Sequence, residues 1–332
     1  MDRRPGKAIV LLQLGGPDST ENIAPFLENM FSDRYIIPLP FWLRPFQGAL
    51  ARFVATHRAP RVAEFYAHMG GRSPIVGNTE AQARALEAEL QRRGEAAEVH
   101  IAMRAWHPLT EAAVARIEAQ DPDEVVLLPL YPQDSSSTVG SSVARFVEVA
   151  TERRLRAQVA VAPAYFDEPA YIEAIGETIA EGLARFERPE RVTIMFSAHS
   201  LPMVIVRAGD PYPEQIAATR GAVEAHLGLK GRTCLAFQSQ TGGVKWLGPK
   251  VHEVVEDLVA RGVKDVLMVP LGFVSDHLET LYEMDVLYAK MMRERGIRFE
   301  RAAALGDRPT FIRALADVVQ RPFRASIALN LR

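Results

Sequence analysis

Alternation is the feature that most constrains this chain. Short apolar runs rich in β-branched residues are separated by longer stretches with helical periodicity. Four runs stand in the first half: KAIVLLQL (7–14), EVHIAMR (98–104), EVVLLPL (124–130) and AQVAVAPA (157–164). Four more stand in the second: RVTIMFSA (191–198), TCLAFQ (233–238), DVLMVPL (265–271) and RFERAAAL (298–305). Between them lie amphipathic segments such as TEAQARALEAELQRRG (79–94) and GPKVHEVVEDLVARG (248–262). Strands that alternate with helices build parallel sheets covered on both faces, so their strands read as near-continuous apolar runs. The pattern predicts an α/β chain of two similar doubly wound lobes, residues 1–165 and 166–332, with a cleft between them. The length of 332 residues suits two such units.

One connection breaks the rhythm. More than eighty residues, 15 to 97, separate the first two strands, where most crossovers are far shorter. This insertion holds YIIPLPFWLRPFQGALARFV (35–54), in which Pro38, Pro40, Pro45 and Arg44 exclude a membrane-spanning helix. Two readings stand: a buried insertion, or an apolar lip over the cleft that touches a membrane.

Composition narrows the class. A net charge of −2 carries no nucleic-acid footprint. The single cysteine, Cys234 in the apolar run TCLAF, excludes an internal disulfide and reads as a small buried hydrophobe in a reducing compartment. The early run AIVLLQL is too short to span a bilayer and is followed by no small-residue cleavage site, so it reads as a first strand.

The strand ends carry the polar chemistry. In FSAHSLPM (196–203), His199 closes an apolar strand, and Pro202 cannot continue it because it lacks an amide hydrogen. Ligands of open α/β sheets bind at the carboxyl ends of strands, although a hydrogen-bonded histidine of purely structural use fits the same position. Arg104 and His107 follow the second strand. YPQDSSSTVGSS (131–142) follows the third and could bind an anion, but helix capping is the simpler reading. SQTGGVKWLGP (239–249) follows the sixth, and GFVSDHLETLYEMD (272–285) the seventh. If this last segment is helical from Ser275, Asp276, Glu279 and Glu283 share a face, with His277 beside them. Acids also suit a solvated helix start. A buried carboxylate row beside an imidazole, however, is chemistry for moving protons or divalent metals. No HExxH or paired-cysteine motif is present, which argues against a closed zinc site.

These segments resemble the ferrochelatase family. FSAHSLPM…RAGDPYPEQI and DHLETLYEMD are similar to its two signature segments, and LGGPDS, YAHMGGRSPI, HPLTEAAV, YPQDSSSTVGSS and WLGP follow its order over nearly the whole chain. The resemblance implies two Rossmann-like lobes with a porphyrin cleft between them, inserting Fe²⁺ into protoporphyrin IX to give protohaem. It implies His199 and Glu279 as catalytic and metal-contacting residues. It implies Asp276, His277 and Glu283 as a path for protons or metal, and Arg58, Tyr66 and Ser73 as porphyrin contacts. Iron is then a substrate, with no tightly bound cofactor, a cytoplasmic location and a peripheral membrane contact through the lip.

The departures are specific. Many relatives carry an acid where this chain has Leu287. Members acting on coproporphyrin tend to carry Tyr where this chain has Leu14, which favours protoporphyrin. The chain ends at SIALNLR without a cysteine-rich tail, so no iron–sulfur cluster is expected. The alternatives are a coproporphyrin ferrochelatase, another tetrapyrrole chelatase for cobalt or nickel, and a binding module that carries haem. The acid row argues against the module, since binding alone needs no proton route.

Overall fold

Each apolar run forms a strand. In the computed structural model, which describes residues 6–37, 39–229, 231–321 and 326–327, the strands are β1 (Lys7–Gln13), β2 (Ala97–Met103), β3 (Glu124–Pro129), β4 (Gln158–Val161), β5 (Thr193–His199), β6 (Thr233–Gln238), β7 (Asp265–Pro270), β8 (Arg298–Arg301) and β9 (Ser326–Ile327). They form two sheets, ordered β2-β1-β3-β4-β9 and β6-β5-β7-β8. All pairings are parallel except β4 with the short β9. The first four strands of each sheet are therefore threaded alike, with the second strand outside the first and the third and fourth on the other side. That is a doubly wound order, and the expected α/β architecture holds. Only β9, two residues long, has no counterpart among the expected strands.

The chain divides into two units. Unit 1 comprises residues 1–164 and 312–332, and unit 2 residues 165–311. The sequence places the division at 165/166 and leaves open which lobe the last helix packs on; here residues 312–332 go with unit 1. Polar contacts tie this last stretch to unit 1. Lys7 Nζ donates to the Val319 carbonyl at 3.0 Å, and the Arg93 guanidinium meets Asp317 at 2.7 Å.

In unit 1 the helices are α1 (Ile23–Ser32), α2 (Gln47–Ala67), α3 (Ile75–Arg92), α4 (Thr110–Gln120) and α5 (Ser141–Glu152). The long β1–β2 connection is thus two things. Residues 75–92 are the crossover helix that a parallel pair requires, and the true insertion is α1, a 3₁₀ turn at Phe41–Phe46, and α2. Its root is fastened. The Arg104 guanidinium meets the buried Asp33 carboxylate at 2.8 Å, and Gln47 Nε2 donates to the carbonyls of Phe31 and Ile37. The core packs Val10, Leu12, Val125, Leu127 and Val159 of the sheet against Phe146 and Val149 of α5. Burying each such side chain contributes about 1.5–3 kcal/mol.

Unit 2 carries α6 (Pro169–Leu183), α7 (Met203–Arg207), α8 (Tyr212–Leu227), α9 (Val251–Ala260) and α10 (Ala289–Glu294), and α11 (Pro309–Val319) begins at its end. Met195, Val266 and Met268 of the sheet pack with Val255 and Leu258 of α9, and with Met284 and Met292. Helix α6 lies directly on β7 because Gly182 leaves room: a Cβ there would stand 2.7 Å from a Leu267 methyl.

Candidate functional site

Strand order puts two loops side by side in unit 2. β5 and β7 are neighbours, yet the chain leaves β5 toward β6 and leaves β7 toward β8. The carboxyl ends of such a diverging pair form the crevice where open α/β sheets bind ligands. His199 is the last residue of β5, and the segment holding His277, Glu279 and Glu283 follows β7.

That segment is not the α-helix expected from Ser275. A π-helix spans Glu279–Tyr288, with Leu278 as its N-cap. Asp276 therefore lies before the helix, and the three acids do not share one helical face. Its carboxylate binds Arg301 at 3.0 Å. Glu279 and Glu283 do share a face, because four residues nearly close the wider π turn. Such π segments are rare and frequently mark functional sites.

The two histidines are set in the same way. His199 Nδ1 lies 2.5 Å from the Ser200 carbonyl, and His277 Nδ1 lies 3.0 Å from the Ser275 carbonyl. A carbonyl oxygen only accepts, so each Nδ1 carries the hydrogen and each neutral ring presents its Nε2 lone pair. Both Nε2 atoms lie 3.9 Å from the same oxygen, Glu279 Oε1. With both rings in that tautomer, three lone-pair-bearing atoms face one another here. A proton or a cation arriving there relieves their repulsion. Aromatic rings flank both imidazoles: Trp246 edge-on at 6.4 Å from His199, and Phe273 tilted at 5.0 Å from His277.

Behind Glu279 runs a hydrogen-bonded chain absent from the sequence reading. Ser239 Oγ lies 3.1 Å from Glu279 Oε2 and 2.7 Å from Glu283 Oε2. Gln238 Nε2 donates to Glu283 Oε2 at 3.0 Å and to the Glu279 carbonyl at 3.1 Å, while Ser197 Oγ fixes its other end at 2.6 Å. Tyr288 adds a longer contact to Glu283, at 3.5 Å. Burial, and then the Glu279 charge, push the Glu283 carboxyl up to about 7. Burial followed by Glu279 likewise raises the Tyr212 phenol. Ser239 adopts φ +63°, a left-handed backbone uncommon outside glycine. Such strain collects at functional sites. The signal available was position: Gln238 and Ser239 close β6 and open the SQTGG loop, beside the His199 strand.

The remaining expected residues sit in unit 1. Arg58 is exposed on α2, with its guanidinium over the Phe31 ring at 5.5 Å. Tyr66 is buried, and its carbonyl accepts from Gly71 at 2.8 Å. Ser73 is buried, its amide donates to the Pro17 carbonyl at 2.8 Å, and Gly16 packs against its side chain. Phe41, Trp42, Phe46 and Phe53 are 74%, 62%, 63% and 60% exposed, so the 35–54 stretch presents these four rings outward rather than burying them. Pro38 lies outside the described residues. No helix among the described residues is long and apolar enough to cross a membrane. The serine-rich stretch after β3 shows the simpler chemistry: Ser135 Oγ accepts from the Ser137 amide and caps a π turn at Ser136–Gly140.

Among the described residues, no three or more His, Cys, Asp and Glu side chains gather closely enough to hold a metal ion.

Comparisons with known proteins agree with the motif order. The ferrochelatase family matches residues 6–322. A ferrochelatase of Geotalea daltonii is 46% identical over 94% of this chain and 97% of its own length. A ferrochelatase of a Nostoc species is 43% identical over 94% of this chain and 81% of its own. Among solved structures, SirB from Bacillus subtilis with Fe³⁺ is similar in fold, with a TM-score of 0.57 at 11% identity over 95% of this chain and 94% of that one.

Proposed function

The chain belongs to the ferrochelatase family, and we propose that it inserts Fe²⁺ into protoporphyrin IX to give protohaem, the last step of haem synthesis. One observation carries the site assignment: His199 and Glu279 present Nε2 and Oε1 to each other 3.9 Å apart at the β5/β7 strand ends.

Metal insertion replaces two pyrrole N–H protons by one divalent ion, so the site must accept two protons and deliver a cation. The His199 Nε2 lone pair is the acceptor facing outward, and its side chain is 38% exposed. Imidazole with carboxylate is also a donor set that Fe²⁺ accepts. A proton taken by His199 passes to Glu279, and Ser239 links that carboxylate to Glu283. Raised to about 7, Glu283 can hold a proton near neutrality and release it. His277 Nε2 faces the same Glu279 oxygen at 3.9 Å and is a second acceptor on the path. Asp276 belongs to the same segment but works through Arg301. Arg58, Tyr66 and Ser73 are assigned to the porphyrin, the Arg58 fork being suited to a propionate.

Leu14 supports protoporphyrin over coproporphyrin. The exposed aromatic residues of the 35–54 segment, with Arg44, Arg52 and Arg58 nearby in sequence, support a peripheral contact with anionic lipid on a cytoplasmic enzyme. The single cysteine supports an enzyme without an iron–sulfur cluster, since cluster ligation normally uses four thiolates.

The test is insertion of Fe²⁺ and Co²⁺ into protoporphyrin IX and coproporphyrin, followed by absorbance, in wild type, His199→Ala and Glu279→Gln. Both variants are expected to keep porphyrin affinity within a few-fold and to lose roughly 10²–10⁴-fold in turnover. A folded, porphyrin-binding His199→Ala protein with wild-type turnover refutes the assignment.

A further inference from the structure

Arg301 closes β8 with a side chain only 12% exposed. Its guanidinium meets Asp285 through two parallel bonds, Nε to Oδ1 at 2.7 Å and Nη2 to Oδ2 at 2.9 Å. Nη1 reaches Asp276 Oδ1 at 3.0 Å and the Ala302 carbonyl at 3.2 Å. Asp276 immediately precedes His277, and Asp285 follows Glu283 by two positions. One rigid planar cation therefore fastens both flanks of the segment that carries His277, Glu279 and Glu283. Gln238 and Ser239 hold the inner side of that segment, and Arg301 holds it from Asp285.

We propose that Arg301 is a positioning residue for metal insertion: by clamping Asp276 and Asp285 it holds the π register that points Glu279 at His199 and His277. This rests on the reading that Glu279 and His199 are the reacting pair. The physical reason is rotation. A π-helix turns the chain less per residue than an α-helix, so a return to the α form would carry Asp285 around the axis and off the fork. Asp276 lies outside the helix and would not follow. The fork thus opposes the relaxation that would swing Glu279 away from both Nε2 atoms. No proline or glycine lies within Glu279–Tyr288 to impose the wide turn by itself. Lysine cannot substitute, because a single ammonium makes neither the parallel pair nor the planar reach to a second carboxylate.

The experiment compares wild type with Arg301→Lys, Asp285→Asn and the double variant. It measures turnover per folded molecule, porphyrin dissociation constant by fluorescence, and melting temperature. Displacement of a reacting group by about 1 Å costs up to about 10²-fold. Arg301→Lys and Asp285→Asn are each expected to lose roughly 10- to 100-fold in kcat, with porphyrin affinity within about threefold, and the double variant to lose no more than the worse single. Normal kcat per folded molecule with a lowered melting temperature overturns the proposal and leaves Arg301 structural. A loss carried wholly by porphyrin affinity also overturns it. Asp285→Asn removes the same clamp from the exposed side, so the test stands if Arg301→Lys fails to fold. Glu279→Gln in parallel separates the two levels. If it keeps wild-type turnover, the underlying site assignment fails; if it falls while the clamp variants do not, only the role of Arg301 fails.

Discussion

Glu283 makes the fold itself sensitive to pH, and the size of the effect follows from its surroundings. Its carboxyl is displaced from 4.5 to about 7, first by burial and then by the nearby Glu279 charge. The native state therefore keeps a proton that the unfolded chain has already released. Stability from this group is complete below pH 4.5 and is lost as pH rises to about 7, because the native state binds more protons across that window. At 1.36 kcal/mol per pH unit the loss is about 3 kcal/mol. At about 2.1 cal/mol/K of unfolding entropy per residue, a chain of 332 residues shifts by about 1.4 °C per kcal/mol, so the melting temperature moves by about 4 °C. Glu283→Gln keeps the shape and removes the charge. The assay is thermal unfolding of both proteins at intervals from pH 4 to pH 8. The expected result is a wild-type melting temperature that drops relative to the variant from pH 5 to pH 8. Parallel curves over that range would refute the reasoning, since a carboxyl already ionised in the native state at pH 5 has no proton to lose.

Three other outcomes are expected. Trp42→Ser with Phe46→Ser weakens binding to anionic liposomes and raises KM for porphyrin; unchanged values for both remove the lip. The purified protein shows no iron–sulfur absorbance, and Cys234→Ala keeps activity, since this thiol is only half-buried at the margin of the core rather than the fully buried hydrophobe expected, and its surroundings push it up to about 11; a bound cluster contradicts both. Gly16→Ala raises KM for porphyrin while sparing kcat, because a Cβ there would stand 2.6 Å from the Ser73 side chain and displace it; an unchanged KM separates Ser73 from porphyrin binding.

The architecture was legible because parallel strands buried on both faces leave an unmistakable trace. Runs such as DVLMVPL can be little else when helical periods flank them. His199 was legible for a related reason, since a histidine that closes such a run stands at the mouth of the sheet. The acid row was half legible. Glu279 and Glu283 stood out by their spacing, but a π turn has no local sequence signature here, so Asp276 was placed on a face that it does not share. Gln238, Ser239 and Arg301 were not legible. They act through partners 41, 40 and 16 residues away in the chain. A glutamine, a serine and an arginine at strand ends look like ordinary punctuation until the sheet order is known. The close of the chain stayed open in the sequence, because which lobe takes α11 rests on polar contacts from Lys7 and Arg93, far away in the chain.

The π-helix also gives the chain an unusual intolerance. Surface connections ordinarily accept gained or lost residues with little cost. Between His277 and Arg301 the count of residues is itself a setting of the chemistry. Deleting one would let the helix tighten to 3.6 residues per turn, at which each residue advances about 100° around the axis, more than on the wider π turn. Glu279 and Glu283, four apart, stay neighbours in either form, but Asp285 would turn away from the Arg301 fork that holds the segment, with every acid, histidine and serine still present. Homologous chains that align cleanly but differ by one residue in this stretch would then be expected to differ in their ability to load metal, whatever their site residues.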